Sequence, residues 1–392
     1  MTIRFNHGKL VLFLCLFYIL VSPLNNLIPI SLNRVITLTF IASEIAFALL
    51  IDRRARPGWV LYVLYWGAVG ILSCLTGVLL SEDLSDTVYM INAVLLLELV
   101  VREDVLEQMR VCAAGKRGLV LTFLFLTLLF IGVSALDPEG FEKDGALRGF
   151  MYNSHSMAST AVLVMAMAQL CVDASGVKLK GFLCAETFIM IAGTAIILAT
   201  KGRTFLIPAA VLLWRYLHML PIVRMQRRVL AVCAAAVLVV VLWDQISIKF
   251  IEALNNPYAR NTLAAITNFR SELWKCDLQY FSEQGIIGMI FGNSYSFVRE
   301  LHEVRLTERI WSHNDLTYVL IASGLLGLAV YVSMYVRARR AFCDGGRNRL
   351  YFAAMVVFPM LVNGFYIYVA LLWAFLVMRV SLYARGKHAE SR

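Results

Sequence analysis

The chain has 392 residues, 60% of them hydrophobic, with a mean hydropathy of +0.73 and a formal net charge of +10. A soluble domain cannot bury that much apolar surface, so the composition excludes a water-soluble enzyme and implies an all-α polytopic membrane protein. With the N-terminus inside, 24 of the 36 Lys and Arg residues fall on the inner side. The positive-inside rule then accounts for the charge, and a nucleic-acid partner is not needed.

A span needs about 17–25 apolar residues. About 12 stretches qualify as transmembrane helices: 10–30, 34–51, 59–80, 87–101, 118–136, 157–172, 182–200, 204–220, 229–243, 315–336, 350–364 and 366–383. The first follows Arg4, His7 and Lys9 without a small-residue cleavage site, which reads as an uncleaved anchor. The short stretches 87–101, 229–243 and 350–364 leave room for tilt, extension or partial re-entry. Glu44, Glu98 and Glu186 fall inside spans, where an acid marks either a buried pair or a proton or ion path. The eight cysteines form no disulfide framework, and no CxxC or His/Cys cluster suggests a metal.

Residues 1–392 read as a single membrane domain with two long outer loops, 137–156 and the 71-residue stretch 244–314. A loop of that length inside a compact domain is usually functional. Phe269, Leu273, Tyr280 and Phe281 fall on one helical stripe, which predicts an amphipathic helix near the membrane surface. Gly285, Gly288 and Gly292 then break the chain into turns.

The outer loops are basic where the positive-inside rule expects otherwise. Most of these cations, balanced by neighbouring acids, read as a solvated face. Arg203, in Lys201-Gly202-Arg203-Thr204, is different: it stands between two apolar helices, where either an anionic ligand or snorkelling to the lipid headgroups would offset the cost of a guanidinium near hydrocarbon. Arg203 and Arg270 suit phosphate, because the guanidinium fork matches two phosphate oxygens. Ser312-His313-Asn314-Asp315 reads as a helix start, with Ser312 or Asn314 as cap. An imidazole there, at its usual pKa of about 6.5, is also a general base at neutral pH. Gly324 and Gly327 read as sites of close helix packing.

In this order, Gly149-Phe150-Met151-Tyr152-Asn153-Ser154-His155-Ser156-Met157-Ala158, Lys201-Gly202-Arg203-Thr204, Arg270-Ser271-Glu272-Leu273-Trp274, Phe291-Gly292-Asn293-Ser294-Tyr295, His313-Asn314-Asp315 and the Gly-Leu-Leu-Gly helix resemble the bacterial O-antigen ligase and polymerase proteins over roughly 145–340. The chain departs from them in having Gly202 before the arginine, where members often carry Ser or Thr, and only one glycine at the Phe291-Gly292 turn.

The resemblance implies a multi-pass protein of the bacterial inner membrane whose large loop and active site face the periplasm. It implies a metal-independent glycosyltransferase, without cofactor, that polymerises undecaprenyl-pyrophosphate-linked repeat units into O-antigen, capsule or exopolysaccharide. The alternative within the family is the ligase, which moves the finished glycan from undecaprenyl pyrophosphate to lipid A core. A polysaccharide transporter or flippase is the reading from another class, and the inverted repeats it favours are not evident. His313 is similar by position to the family's essential histidine, and Arg203 and Arg270 to its two pyrophosphate-binding arginines. Lys201, Arg299, His302, Arg305, Arg309 and Asn314 are the further candidates around the substrates. The partners implied are the lipid-linked donor, a glycan or lipid A-core acceptor and, for a polymerase, a chain-length regulator.

Overall fold

The computed structural model describes residues 6–27, 31–50, 57–142, 145–177, 179, 184–223, 225–227, 229, 243, 267, 269–343 and 348–390. The described helices are α1 (His7–Val21), α2 (Leu32–Leu50), α3 (Pro57–Thr76), α4 (Leu80–Val101), α5 (Glu103–Gly115), α6 (Arg117–Ser134), α7 (Ser154–Ser175), α8 (Ala185–Ala199) and α9 (Arg203–Leu217). They continue with α10 (Arg270–Glu283), α11 (Ile286–Phe291), α12 (Tyr295–Leu306), α13 (Asp315–Phe342), α14 (Arg349–Phe352), α15 (Phe358–Val362) and α16 (Val369–Glu390). Among the described residues there is no β-strand, only an isolated bridge between Phe141 and Leu147.

Seven of these segments are long and apolar enough to cross a membrane: His7–Leu24, Trp59–Thr76, Leu80–Val101, Arg117–Ser134, Ser154–Ser175, Asp315–Phe342 and Val369–His388. Two shorter apolar stretches, Ala185–Ala199 and Arg349–Val362, join them. Stretch 229–243 lies almost wholly outside the described residues, as do 244–266 of the large loop. The span of helix α7 is 94% buried, and it packs along α16 at the centre. The spans of α3 and α6 are only 22% and 28% buried, so they form the rim that meets lipid.

The three acids singled out in the sequence as lying inside spans are all paired. Glu44 meets His7 at 2.6 Å, Glu98 meets Arg337 at 2.8 Å and Glu186 meets Arg117 at 2.6 Å. Arg215 is held in the core by Asp173, by Gln169 at 2.8 Å and by Ser381 at 2.8 Å. Charge within or at the edge of an apolar span persists where it is matched in this way, and these pairs pin helix to helix.

Three features depart from the apolar pattern and position the site. Stretch 350–364 is a broken element: α14 runs through a π turn at Ala353–Val357 into α15 and ends at Asn363. Such bulges recur at functional sites. Helix α13 breaks at Gly324 (φ 69°, ψ −170°), where a Cβ would lie 2.3 Å from the Ile290 carbonyl oxygen. Gly324 thus serves close packing, as expected, but of the end of α11 against a helix break. The predicted helix after Phe269 is α10, yet Phe269 itself stands outside it in the left-handed region (φ 67°). Leu273 is buried, and α10 packs against α12 and α13, so α10 is docked on the protein.

Candidate active site at three helix N-termini

The first residues of three helices line one cavity of about 490 Å³. Ser154 and His155 open α7, Arg203 and Thr204 open α9, and Arg270 opens α10. Lys201 also lines it, from the turn between α8 and α9. Helix N-termini carry partial positive charge and outward-pointing N–H groups, so three of them with two guanidiniums and an ammonium, against the one carboxylate of Glu142, make an anion-attracting space. Neither Gly202 nor Phe269, the residues capping α9 and α10, supplies a side-chain acceptor. The α7 end is served by Glu142 from loop 137–156, which accepts from the Ser154 N–H at 2.6 Å. That loop is tied down by Leu147 N–H donating to the Ala199 carbonyl at 2.9 Å.

Backbone strain collects at the same place. Among the described residues, four non-glycines have positive φ: Lys201, Phe269, Thr307 and His313. One lines the cavity, one immediately precedes Arg270, and one is the candidate base. Each costs about 1–2 kcal/mol, and strain of this kind gathers where the surroundings hold a functional geometry.

His313 does not line the cavity. It stands one residue behind Arg270, joined through Asn363 at the end of the broken stretch. Arg270 donates to the Val362 carbonyl and, at 3.3 Å, to Asn363 Oδ1. His313 Nδ1 lies 3.1 Å from the same oxygen. Arginine only donates, so the oxygen of Asn363 must face it, and His313 must then donate from Nδ1. This fixes the neutral tautomer with its lone pair on Nε2, the nitrogen a general base needs. Asn363 in turn donates to the Tyr368 hydroxyl at 3.0 Å.

The usual imidazole pKa does not survive this setting. Burial, and then the charge of Arg270, pushes His313 down from 6.5 to about 3, against the opposing hydrogen bond to Asn363. Arg270 is itself lowered by burial; Tyr368 counters this, and Arg203 adds to it. It remains a cation at neutral pH, as arginine does in proteins. The two arginines therefore repel each other across a partly desolvated space. An anion between them would relieve that repulsion and raise the basicity of His313 at the same time.

The other candidates sit elsewhere. Asn314 caps α13, accepting from Leu316 N–H at 2.9 Å and Thr317 N–H at 3.3 Å. Ser312, the alternative cap, is buried, and its carbonyl accepts from Trp274 Nε1 at 2.9 Å. Asp315 accepts from the Tyr331 hydroxyl at 2.6 Å and Phe365 N–H at 2.8 Å, fixing the start of α13 against the 363–366 turn. His302 is fully buried between Asp277 (2.8 Å) and the Ile310 carbonyl (2.7 Å). Arg299 meets Asp86 at 2.7 Å, Arg305 meets Glu283 at 2.6 Å, and Arg309 meets Glu82 at 2.9 Å and Glu303 at 2.8 Å. These cations dock α12 and the segment after it, and none of them lines the cavity.

Of the residues singled out in the sequence, Lys201, Arg203 and Arg270 converge, with His313 beside them. Glu142, His155 and Asn363 were missed; only His155 lay within a motif already noted. Comparison of the chain with protein-family models, with curated proteins and with solved structures finds no match.

Proposed function

We propose that the protein is a membrane glycosyltransferase that moves a glycan from a polyprenyl pyrophosphate, of the undecaprenyl type, onto a sugar hydroxyl. The observation that carries this reading is the shared Asn363 oxygen, which couples the anion-attracting cavity of Lys201, Arg203 and Arg270 to a tautomer-fixed His313. The donor pyrophosphate occupies the cavity and the acceptor hydroxyl approaches His313 Nε2. The hydroxyl proton passes to Nε2 as the oxygen attacks the anomeric carbon. The bond from that carbon to the pyrophosphate breaks, and its electron pair leaves with the phosphate. Fixed cations at the departing oxygens stabilise the developing charge, and a membrane surface that gathers both substrates supplies proximity.

On this reading the chain has about twelve spans with both termini cytoplasmic. The cavity and the 244–314 loop face the periplasm of the inner membrane. The product is a lengthened lipid-linked glycan, as made by an O-antigen, capsule or exopolysaccharide polymerase.

The test is purified protein in liposomes with a fluorescent undecaprenyl-pyrophosphate oligosaccharide. Lengthening of the glycan on its carrier, with release of free undecaprenyl pyrophosphate, is expected. Transfer only when lipid A core is added would identify a ligase with the same donor chemistry. No release of undecaprenyl pyrophosphate under either condition would overturn the proposal.

A further inference from the structure

Residues 284–298 contain no Asp, Glu, Lys, Arg or His, although charged residues are frequent on either side of them in the large loop. Within this run none of the six residues of α11 is buried, and Ile286 and Ile287 are 73% and 74% exposed, with Phe291 at 54%. Isolated exposed apolar residues are ordinary, but a contiguous apolar helix facing outward marks a surface meant to be covered.

The protrusion is rigidly held. At Gly292 (φ 76°) a Cβ would lie 2.4 Å from Ser323 N, and at Gly324 one would lie 2.6 Å from Phe291 N, so the two backbones touch. Asn293 N–H donates to the Ile321 carbonyl at 3.1 Å. In an unbroken helix that carbonyl would serve residue 325. The Asn293 carbonyl accepts from the Thr76 hydroxyl at 3.4 Å, and Gly292 N–H donates to the Gly288 carbonyl at 2.8 Å. Irregular backbone satisfied by protein in this way is the kind tolerated at membrane depth.

The depth follows from α13. Between Gly324 and Arg337, the first charged residue toward the far end, lie twelve residues, 325–336. They rise about 18 Å at 1.5 Å each, well short of the roughly 30 Å of hydrocarbon a span must cross. Tilt shortens the projected rise further. The hydrocarbon on α13 therefore extends past Gly324 toward Asp315 by about 12 Å, and α11 packs at the level of Gly324, inside it.

We infer that residues 285–293 form a re-entrant hairpin. Its helix α11 lies in the leaflet on the His313 side, with Ile286, Ile287 and Phe291 against lipid acyl chains. The segment joining α10, which carries Arg270, to α12 is thereby anchored in the bilayer, and part of the 244–314 loop is membrane rather than aqueous.

Nitroxide labels on Ile287→Cys and, separately, Ile286→Cys test this, with the native cysteines replaced and the full chain in phosphatidylethanolamine–phosphatidylglycerol liposomes. Glu308→Cys, exposed in the same loop, is the aqueous reference, and Leu129→Cys on α6 the lipid reference. High collision rates with oxygen and background rates with a nickel chelate, as at Leu129, are expected. Nickel collisions as frequent as at Glu308 would overturn the inference in favour of water. Low rates with both would overturn it in favour of a covering protein, including a second copy. The unsubstituted protein gives an independent reading: lipids carrying a diazirine in the acyl chain should leave adducts within 284–298. Adducts on α6 without any there would refute the hairpin.

Discussion

Replacing His313 with asparagine is expected to lower glycan transfer by about 10²–10⁴-fold, the usual worth of a general base, while leaving donor binding and folding intact. Asparagine is the right probe because His313 sits at φ 50°, a conformation Asn tolerates better than other uncharged non-glycine residues. A helix start that merely needed this backbone would lose little stability and no turnover. Protonation gives the second signature. With the imidazole held at about 3 in the empty protein, kcat/KM should show no acid limb near pH 6.5. A bound pyrophosphate favours the imidazolium, so the acid limb of kcat should lie at higher pH than that of kcat/KM. Removing the cation with Arg270→Gln should likewise move the limb of the residual kcat/KM upward, toward the ordinary histidine value. Full turnover by folded His313→Asn would remove the base from the proposal.

Arg270→Lys is expected to cost about 10²-fold in kcat, in the range seen when one donor to a developing anion is lost. Arg203→Lys should act in the same direction. Lysine keeps the charge at position 270 but cannot hold the Val362 carbonyl and Asn363 Oδ1 with one planar group while facing phosphate. Losing the Asn363 contact also loosens His313, so this variant should disturb the pH profile as well as the rate. Arg305→Lys is the control: its partner Glu283 is on the solvated surface, where a pair contributes about 0–1 kcal/mol. Equal activity of Arg270→Lys, Arg305→Lys and wild type at matched protein levels would count against the anion cavity.

The apolar runs were legible because a bilayer imposes a minimum length on a span, and α3, α6 and α7 begin and end close to where their runs do, whereas α1 stops at Val21, nine residues short of the end of its run. Arg203 was legible for a related reason: a cation beside hydrocarbon needs a counter-charge. Arg270 and Lys201 were singled out by residue type and by the resemblance, and the fold brings them to the same cavity. Glu142 and Asn363 were not. Asn363 lies 50 residues from His313 and meets it because the broken stretch, with its π turn at Ala353–Val357 ahead of α15, ends beside Arg270, which no periodicity announces. Arg299, His302 and Arg309 show the converse: their residue types suit a ligand, but Asp86, Asp277 and Glu82, from distant segments, meet them instead. The re-entrant reading of 285–293 needed both views, the uncharged run from the sequence and the Gly292–Gly324 contact from the fold.

The most direct measurement of the central claim is a cryo-EM structure of the protein in a lipid nanodisc with a bound undecaprenyl-pyrophosphate oligosaccharide. The account predicts the two phosphates within hydrogen-bonding distance of Arg203 and Arg270, in the cavity that Glu142 and His155 also line, with the first sugar turned toward His313 Nε2. Pyrophosphate density resting elsewhere, with this cavity empty at saturating donor, would contradict it.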